Sequence, residues 1–455
     1  MDRTMELGQG SVGKLLLKFS IPAIIGMIVN ALYNIVDRIF IGQIPGGVGE
    51  LALSGVTVTF PISTVIMAFG MLVGIGSAAL ISIRLGQQKK DEAEKILGNA
   101  LILVIIILVA LAIITFPFLD KLLVAFGASE NILPYAKEYI QIIIAGGVIQ
   151  NIGFGLNAAI RSEGNPKIAM LTMLLGAITN TVLDPIFIFV FDMGVAGAAI
   201  ATVIAQLAST VWVLYHFTKG KSTLKLRKEN FKLDKEIIKN IFAIGMSPFF
   251  MQLAASLVGV ISNKALLTHG GDFAIGAMGV ISSVAMMCLM PVFGINQGSQ
   301  PIIGYNYGAK NYKRVKKAWM LAVIAAVAIT TTGFLVVELA APSIIRIFNS
   351  NADLVAIGTH GIRIYLSMLP VIGFQVISTN YFQAVGKAKI SMFLSLVRQV
   401  IVLIPLLLIL PPIFGLNGVW ISGPTSDAVA SIITVFFVMR ELKELKQQEL
   451  ETRVA

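Results

Sequence analysis

The stretch Ile21–Gly42, IPAIIGMIVNALYNIVDRIFIG, decides how the rest of the chain is read. Rising about 1.5 Å per residue as a helix, it is long enough to cross a hydrocarbon core of about 30 Å. It nevertheless carries Asn30, Asn34 and Asp37, which fall within roughly 60° of one another on one helix face. An ionised Asp in hydrocarbon costs on the order of 3 kcal/mol or more, so a membrane helix that keeps one points it at a partner or a watery cavity. Asp37 is therefore a candidate functional residue from the outset.

The whole chain repeats the pattern of that stretch. Its 455 residues are 56% hydrophobic and 13% charged, and the mean hydropathy is +0.86. Such a composition belongs to polytopic membrane proteins and leaves no room for a sizeable soluble domain. The net charge of +11 does not point to nucleic acid, because the basic residues fall in short loops between apolar runs rather than on one surface. A single cysteine, Cys288, excludes an internal disulfide, and His216, His269 and His360 lack metal-ligand spacing. The first apolar run contains Pro22 and lacks a small-residue cleavage site before its polar end, so it is expected to be a retained span.

Apolar runs broken by charge or by Gly, Pro and Asn predict twelve spans, at about 15–42, 51–81, 96–117, 132–158, 168–190, 194–217, 237–268, 273–304, 316–338, 354–382, 390–412 and 417–439. The expected fold is all-α, twelve transmembrane helices in two six-helix lobes. Residues 1–217 form the N-lobe, 218–236 a cytoplasmic basic linker, and 237–455 the C-lobe with a short cytoplasmic tail. Lys and Arg crowd alternate connections, among them Arg84/Lys89/Lys90/Lys95 and Lys310–Lys317, which places both termini in the cytoplasm. The tract 218–236 reads as a solvated linker. Its Gly220-Lys221-Ser222 is no phosphate-binding loop, since Tyr215 stands where that motif needs a glycine.

The lobes are repeats. Gly76, Gly86, Gly164 and Lys167 recur 222 residues later at Gly298, Gly308, Gly386 and Lys389, and Pro22 recurs at Pro248. Six spans per repeat make the halves parallel, related by an axis along the membrane normal, with a substrate cavity expected between them. The repeat breaks at its acidic positions: Asp37 aligns with Asn263, while Asn180 and Asp184 align with Val402 and Leu406. Only the first half keeps carboxylates at these positions. By position within their spans Asp37, Asp184 and Thr202 share a depth, with Asn180 one turn from Asp184 and Gln206 one turn from Thr202.

Two carboxylates near an amide and a hydroxyl suit cation handling in either of two ways. Repulsion between close carboxylates makes one of them retain a proton, giving H⁺ binding. Alternatively both stay ionised and, with the Asn and Thr oxygens, hold Na⁺ as oxygen ligands hold other hard cations. Against a functional role, Asp37 could pair with Arg38, although adjacent helix residues project about 100° apart. Asp184 could cap a helix broken at Pro185, and Asn180, Thr202 and Gln206 could be polar glue between helices. Pro22 and Pro248 each remove a backbone donor and mark kinks or hinges. Arg398 and Asp427 are expected to form a structural ion pair, with a second coupling site as the alternative. Met287, among Met278, Met286 and Met290, suits either core packing or a cavity for apolar molecules. Tyr33, Asn34, Gln150, Asn151 and Asn157 are candidate polar contacts there.

The segments FSIPAIIGMIVNALYNIVDRIFIGQ from Phe19, GIGSAALISIRLGQ from Gly74, IRSEGNPKIAM from Ile160 and NTVLDPIFIF from Asn180 resemble multidrug and toxic compound extrusion (MATE) transporters, in their MepA-like bacterial branch. The resemblance implies a secondary transporter of the bacterial cytoplasmic membrane, not an enzyme. It would export lipophilic, often cationic compounds by exchange for H⁺ or Na⁺ in alternating access, without any other cofactor. It further implies a cation site at Asp37, Asn180, Asp184 and Thr202 and a bend of the first helix at Pro22. Acidic residues that some members carry on helices 7 and 10 are missing from those spans here, so coupling is expected in the N-lobe. Membrane lipids surround a chain expected to work as a monomer. A flippase for a lipid-linked saccharide is the alternative. An intramembrane enzyme finds no H-E-x-x-H or G-x-S-x-G motif.

Overall fold

In hydrocarbon every backbone donor and acceptor must be paired within the protein, which leaves the helix as the form for isolated apolar runs. The computed structural model describes residues 3–45, 47–348 and 351–454, and among them every regular element is helical. Eleven of these helices are long and apolar enough to cross a membrane. A twelfth crossing is made by the pair Ala352–Tyr365 and Leu369–Ala384, bent by 48°. Pro370 lies in the first turn of the second member, where its missing N–H breaks the ladder.

The elements run α1 (Arg3–Gln9), α2 (Val12–Gly42), α3 (Val48–Val58), α4 (Phe60–Gly86), α5 (Lys90–Thr115), α6 (Leu119–Ala125), α7 (Leu133–Ser162), α8 (Pro166–Pro185) and α9 (Gly194–Thr218). After a connecting strap come α10 (Lys235–Gly308), α11 (Tyr312–Phe348), α12 (Ala352–Tyr365), α13 (Leu369–Ala384), α14 (Ala388–Leu396), α15 (Ile404–Phe414) and α16 (Leu416–Val454). Gly271, at φ 65° and ψ −164°, divides α10 into two spans where the sequence predicts a break. The predicted second span is divided as well, because Pro61 restarts the helix and separates α3 from α4. The last helix continues to Val454, well beyond the predicted span 417–439. The duplication reappears in the backbone: Gln88 and Lys310, 222 residues apart, both turn left-handed (φ 61° and 55°), as do Gly164 and Gly386 (φ 97° and 79°).

The chain forms two compact units, one of Met1–Gln9 and Ile25–Phe249, the other of Gly10–Ile24 and Phe250–Ala455. Helices α2 and α10 thus each change unit partway along, within three residues of Pro22 and of Pro248. In the first unit α4 meets α7 glycine to glycine, and a Cβ on Gly74 would lie 2.7 Å from the Gly155 Cα. The start of α10 lies against the same helix, with Gly76 touching the Ile241 carbonyl and Gly245 touching that of Leu72. In the second unit Gly298, the repeat partner of Gly76, accepts the start of α2, where a Cβ would meet the Ser20 amide nitrogen at 2.7 Å.

The basic tract after α9 is not the solvated tether its charge suggests. Glu163, fully buried, accepts at Oε2 from Ser222 Oγ and from the amides of Thr223 (3.0 Å) and Leu224 (3.2 Å). Its Oε1 meets His216 Nε2 at 2.5 Å and accepts from Asn165 at 2.7 Å. Glu94, also buried, accepts from the Lys225 amide at 3.0 Å and pairs with Arg227 at 3.2 Å. Asn99 donates to the carbonyls of Asn230 and Lys232 and accepts from the Asp234 amide at 2.8 Å. Backbone that would otherwise need water is satisfied inside the first unit, which orders the tract as a strap. In the second unit Arg398 Nε binds Asp427 Oδ1 at 2.6 Å, the ion pair expected from sequence.

Candidate functional site

Three helices of the first unit bring the site together. Helix α8 ends at Pro185, and the π-helical turn Ile186–Val190 absorbs the hydrogen bond the proline cannot make. Asp184 therefore caps nothing; its side chain turns back along α8, and Asn180 Nδ2 donates to its Oδ1 at 3.0 Å. The same amide also reaches Thr202 Oγ1 on α9 at 3.3 Å. From α2, the Asp37 carboxyl comes within hydrogen-bond reach of Asp184. Asp37, Asn180 and Asp184 are 8%, 1% and 0% exposed. Arg38 is exposed and makes no ion pair with Asp37 among the described residues.

Three oxygens at this meeting point are buried without a donor: Asp37 Oδ1, Asn180 Oδ1 and Asp184 Oδ2. Buried polar atoms are nearly always paired, so a cluster of orphan acceptors marks a place where a positive charge belongs. Two ionised carboxylates about 4 Å apart would repel by roughly 4 kcal/mol even at an effective dielectric constant near 20. A proton shared between them, or a cation held by their oxygens with those of Asn180 and Thr202, removes that repulsion. The donor set fits a proton or a small hard cation and is too oxygen-rich for a soft transition metal. No group of three His, Cys, Asp or Glu suited to a metal ion occurs among the described residues.

An apolar cluster seals the site on one side. Ile41, Ile188 and Ala198, each four residues from Asp37, Asp184 and Thr202 respectively, are buried together with Ala52 and Val195. Tyr139 of α7 packs against this cluster and lies within electrostatic reach of both carboxylates. Sequence reading misses Tyr139, whose only mark is its i, i+4 spacing from Tyr135. Tyr33 lies on the same face of α2 as Asp37 and hydrogen-bonds with Asn30 and Asn34, while Asn34 itself donates to the Asn30 carbonyl at 2.6 Å.

Other candidates lie elsewhere. Asn151 donates to the Gly147 carbonyl at 2.9 Å and packs on Gly70. Asn157 ties α7 to the start of α8 by donating to the Ala169 carbonyl at 2.8 Å, and it accepts from Arg161. Gln150 and Gln206 are half-buried and make no hydrogen bond among the described residues. Met287, 69% exposed, belongs to the second unit. Pro22 and Pro248 are buried within α2 and α10.

The MatE family profile matches residues 22–186 and matches again over residues 248–409. The chain belongs to the MATE family. It is 28% identical over 430 residues to the multidrug export protein MepA of Staphylococcus haemolyticus, covering 94% of each chain. A MATE crystal structure in the bent conformation superposes with a TM-score of 0.92 at 27% identity, over 99% of each chain. A superfamily transporter from Pyrococcus furiosus, described as having a binding pocket of reverse polarity that suggests a different function, superposes at 0.90 with 28% identity over 97% of this chain and 98% of that one. As a MATE protein the chain is a multi-pass membrane transporter and not an enzyme.

Proposed function

We propose that this transporter exports lipophilic, often cationic drugs by exchange for H⁺ or Na⁺, with the ion bound between Asp37 and Asp184. The observation that carries the reading is the approach of these two buried carboxyls, of which one oxygen each, with Asn180 Oδ1, lacks any donor. Asn180 orients Asp184, and Thr202 supplies a fourth oxygen. Export of varied compounds is what the names of the MepA relatives describe for those proteins. Those names do not favour the flippase alternative.

In this account both termini are cytoplasmic, so the apolar cluster around Ile41 covers the ion site on the outer side. An ion taken from outside fills the acceptor cluster, and that state disfavours the drug. Coupling needs only that ion and drug prefer different states by about 1–3 kcal/mol. Pro22 and Pro248 are the proposed hinges; in support, the two helices change unit within three residues of them. Tyr33 and Asn34 flank the ion site, and Gln150, Asn151, Asn157, Gln206 and Met287 remain candidates for the drug path. One chain acts alone, because duplication supplies both halves.

Proteoliposomes loaded with a fluorescent lipophilic cation test the reading when H⁺ and Na⁺ gradients are imposed separately. Efflux driven by one gradient and lost in Asp37→Asn supports it and names the ion. Equal efflux from folded Asp37→Asn/Asp184→Asn protein contradicts it.

A further inference from the structure

A second built cavity lies in the other unit, far along the chain from the carboxylates. It has a volume of about 480 Å³ and lies between the end of α11 and one face of α12. Ala352, Val355, Ala356, Thr359 and Arg363 lie on that face at helical spacing, so small side chains form the floor and a guanidinium closes one end. Arg346 of α11 lines the opposite wall.

The charge of this cavity is basic and incompletely matched. Arg346 is exposed and has no ion-pair partner among the described residues. Arg363 touches Glu338 only loosely, with Nε 3.9 Å from the carboxylate and Nη2 donating to the backbone carbonyl at 3.2 Å. A guanidinium has five donors, so most of those on Arg363 remain free. Thr359 Oγ1 is buried in the same wall without a partner. His360 adds a ring held by Asn417 at 2.9 Å. Asp353, in the first turn of α12, lies about 100° around the helix from Ala352 and about two turns before His360, at the end of the helix away from Arg363.

The surroundings are those of a membrane boundary. Helix α11 has 37 residues, about 55 Å at helical rise, and so extends well past a hydrocarbon core of about 30 Å. The cavity lies at the end of α11 opposite its start at Lys313, Arg314, Lys316 and Lys317. Beside it Leu339 and Ile347 are 85% and 81% exposed, apolar surface adjoining two arginines. Arginine binds phosphate through paired N–H donors, and exposed apolar surface at the same place accepts acyl chains.

We propose that this cavity binds the phosphate of an anionic phospholipid, with Arg346 and Arg363 holding its oxygens and the chains lying over Leu339 and Ile347. The site is separate from the ion site and serves the second unit.

Native mass spectrometry of the full chain in detergent tests this with three probes: phosphatidylglycerol, phosphatidylcholine and inorganic phosphate. Retained phosphatidylglycerol is expected in the wild type, weakened at least tenfold in Arg346→Gln/Arg363→Gln and unchanged in Arg440→Gln, which removes an exposed charge elsewhere. Ala356→Glu, which places a carboxylate on the cavity floor without removing any cation, is expected to give the same loss in monodisperse protein. Retention of inorganic phosphate alone, lost in the same variants, keeps the phosphate site and assigns it to a free anion. Phosphatidylglycerol retained equally by the wild type and by both cavity variants overturns the proposal.

Discussion

Asn180 Nδ2 donates to Asp184 Oδ1 at 3.0 Å across one turn of α8, which leaves the other Asp184 oxygen buried without a partner. An amide that spends its donors on Asp184 and Thr202 leaves its own carbonyl oxygen for the ion. Asn180→Ala is therefore expected to lower ion-driven efflux at least tenfold without unfolding the protein, while Thr202→Ser, which keeps the oxygen, stays near the wild type and Thr202→Val does not. Initial efflux rates under a fixed gradient check the order.

Breaking the Arg398–Asp427 pair should be costly and removing it should not. Asp427→Asn leaves a guanidinium without its counter-charge and is expected to destabilise by about 3–5 kcal/mol, whereas Arg398→Met/Asp427→Leu is expected to lie near the wild type. Thermal unfolding in detergent reads both. A stable Asp427→Asn protein with abolished ion-driven efflux would instead mark a second coupling site.

The contact of Gly245 with the Leu72 carbonyl leaves no space for a methyl group. Gly245→Ala is expected to destabilise by about 1–3 kcal/mol through forced separation of α10 from α4, and Gly259→Ala, where nothing lies within 4 Å, by far less. Melting temperatures of the two variants compare the effects directly.

The strap after α9 should resist trypsin although it is rich in lysine. Glu163→Ala/Glu94→Ala removes the acceptors for the amides of Thr223, Leu224 and Lys225, and cleavage at Lys225 and Arg227 is expected to accelerate more than tenfold. Equal digestion of variant and wild type would show that the strap is held by other contacts.

Residues that meet at the site were legible where one helix carries the information. Asp37 stood out because a carboxylate is costly in an apolar span, and the shared depth of Asp184 and Thr202 follows from counting residues along each span. Which helices lie side by side is not a property of any one of them. That the amides of Asn151 and Asn157 bind the Gly147 and Ala169 carbonyls is therefore invisible in sequence, which shows only two polar residues in an apolar span. Tyr139 gave no signal, since a tyrosine in an apolar helix is unremarkable until its neighbours are known. The strap misled for a different reason: its charge predicts solvation, and the buried Glu163 and Glu94 that hold it lie about 60 and 130 residues earlier in the chain. The 222-residue spacing of the repeat, by contrast, survives in the backbone at Gln88 and Lys310.

The central claim is that ion and drug compete through the Asp37–Asp184 pair, and ion release on drug binding tests it most directly. Purified protein in weakly buffered detergent solution, with a pH indicator or a Na⁺ electrode, is titrated with a lipophilic cation. The wild type is expected to release H⁺ or Na⁺ in proportion to drug bound, and Asp37→Asn and Asp184→Asn to bind drug with little or no release. Undiminished release from the Asp37→Asn/Asp184→Asn double variant would contradict the account.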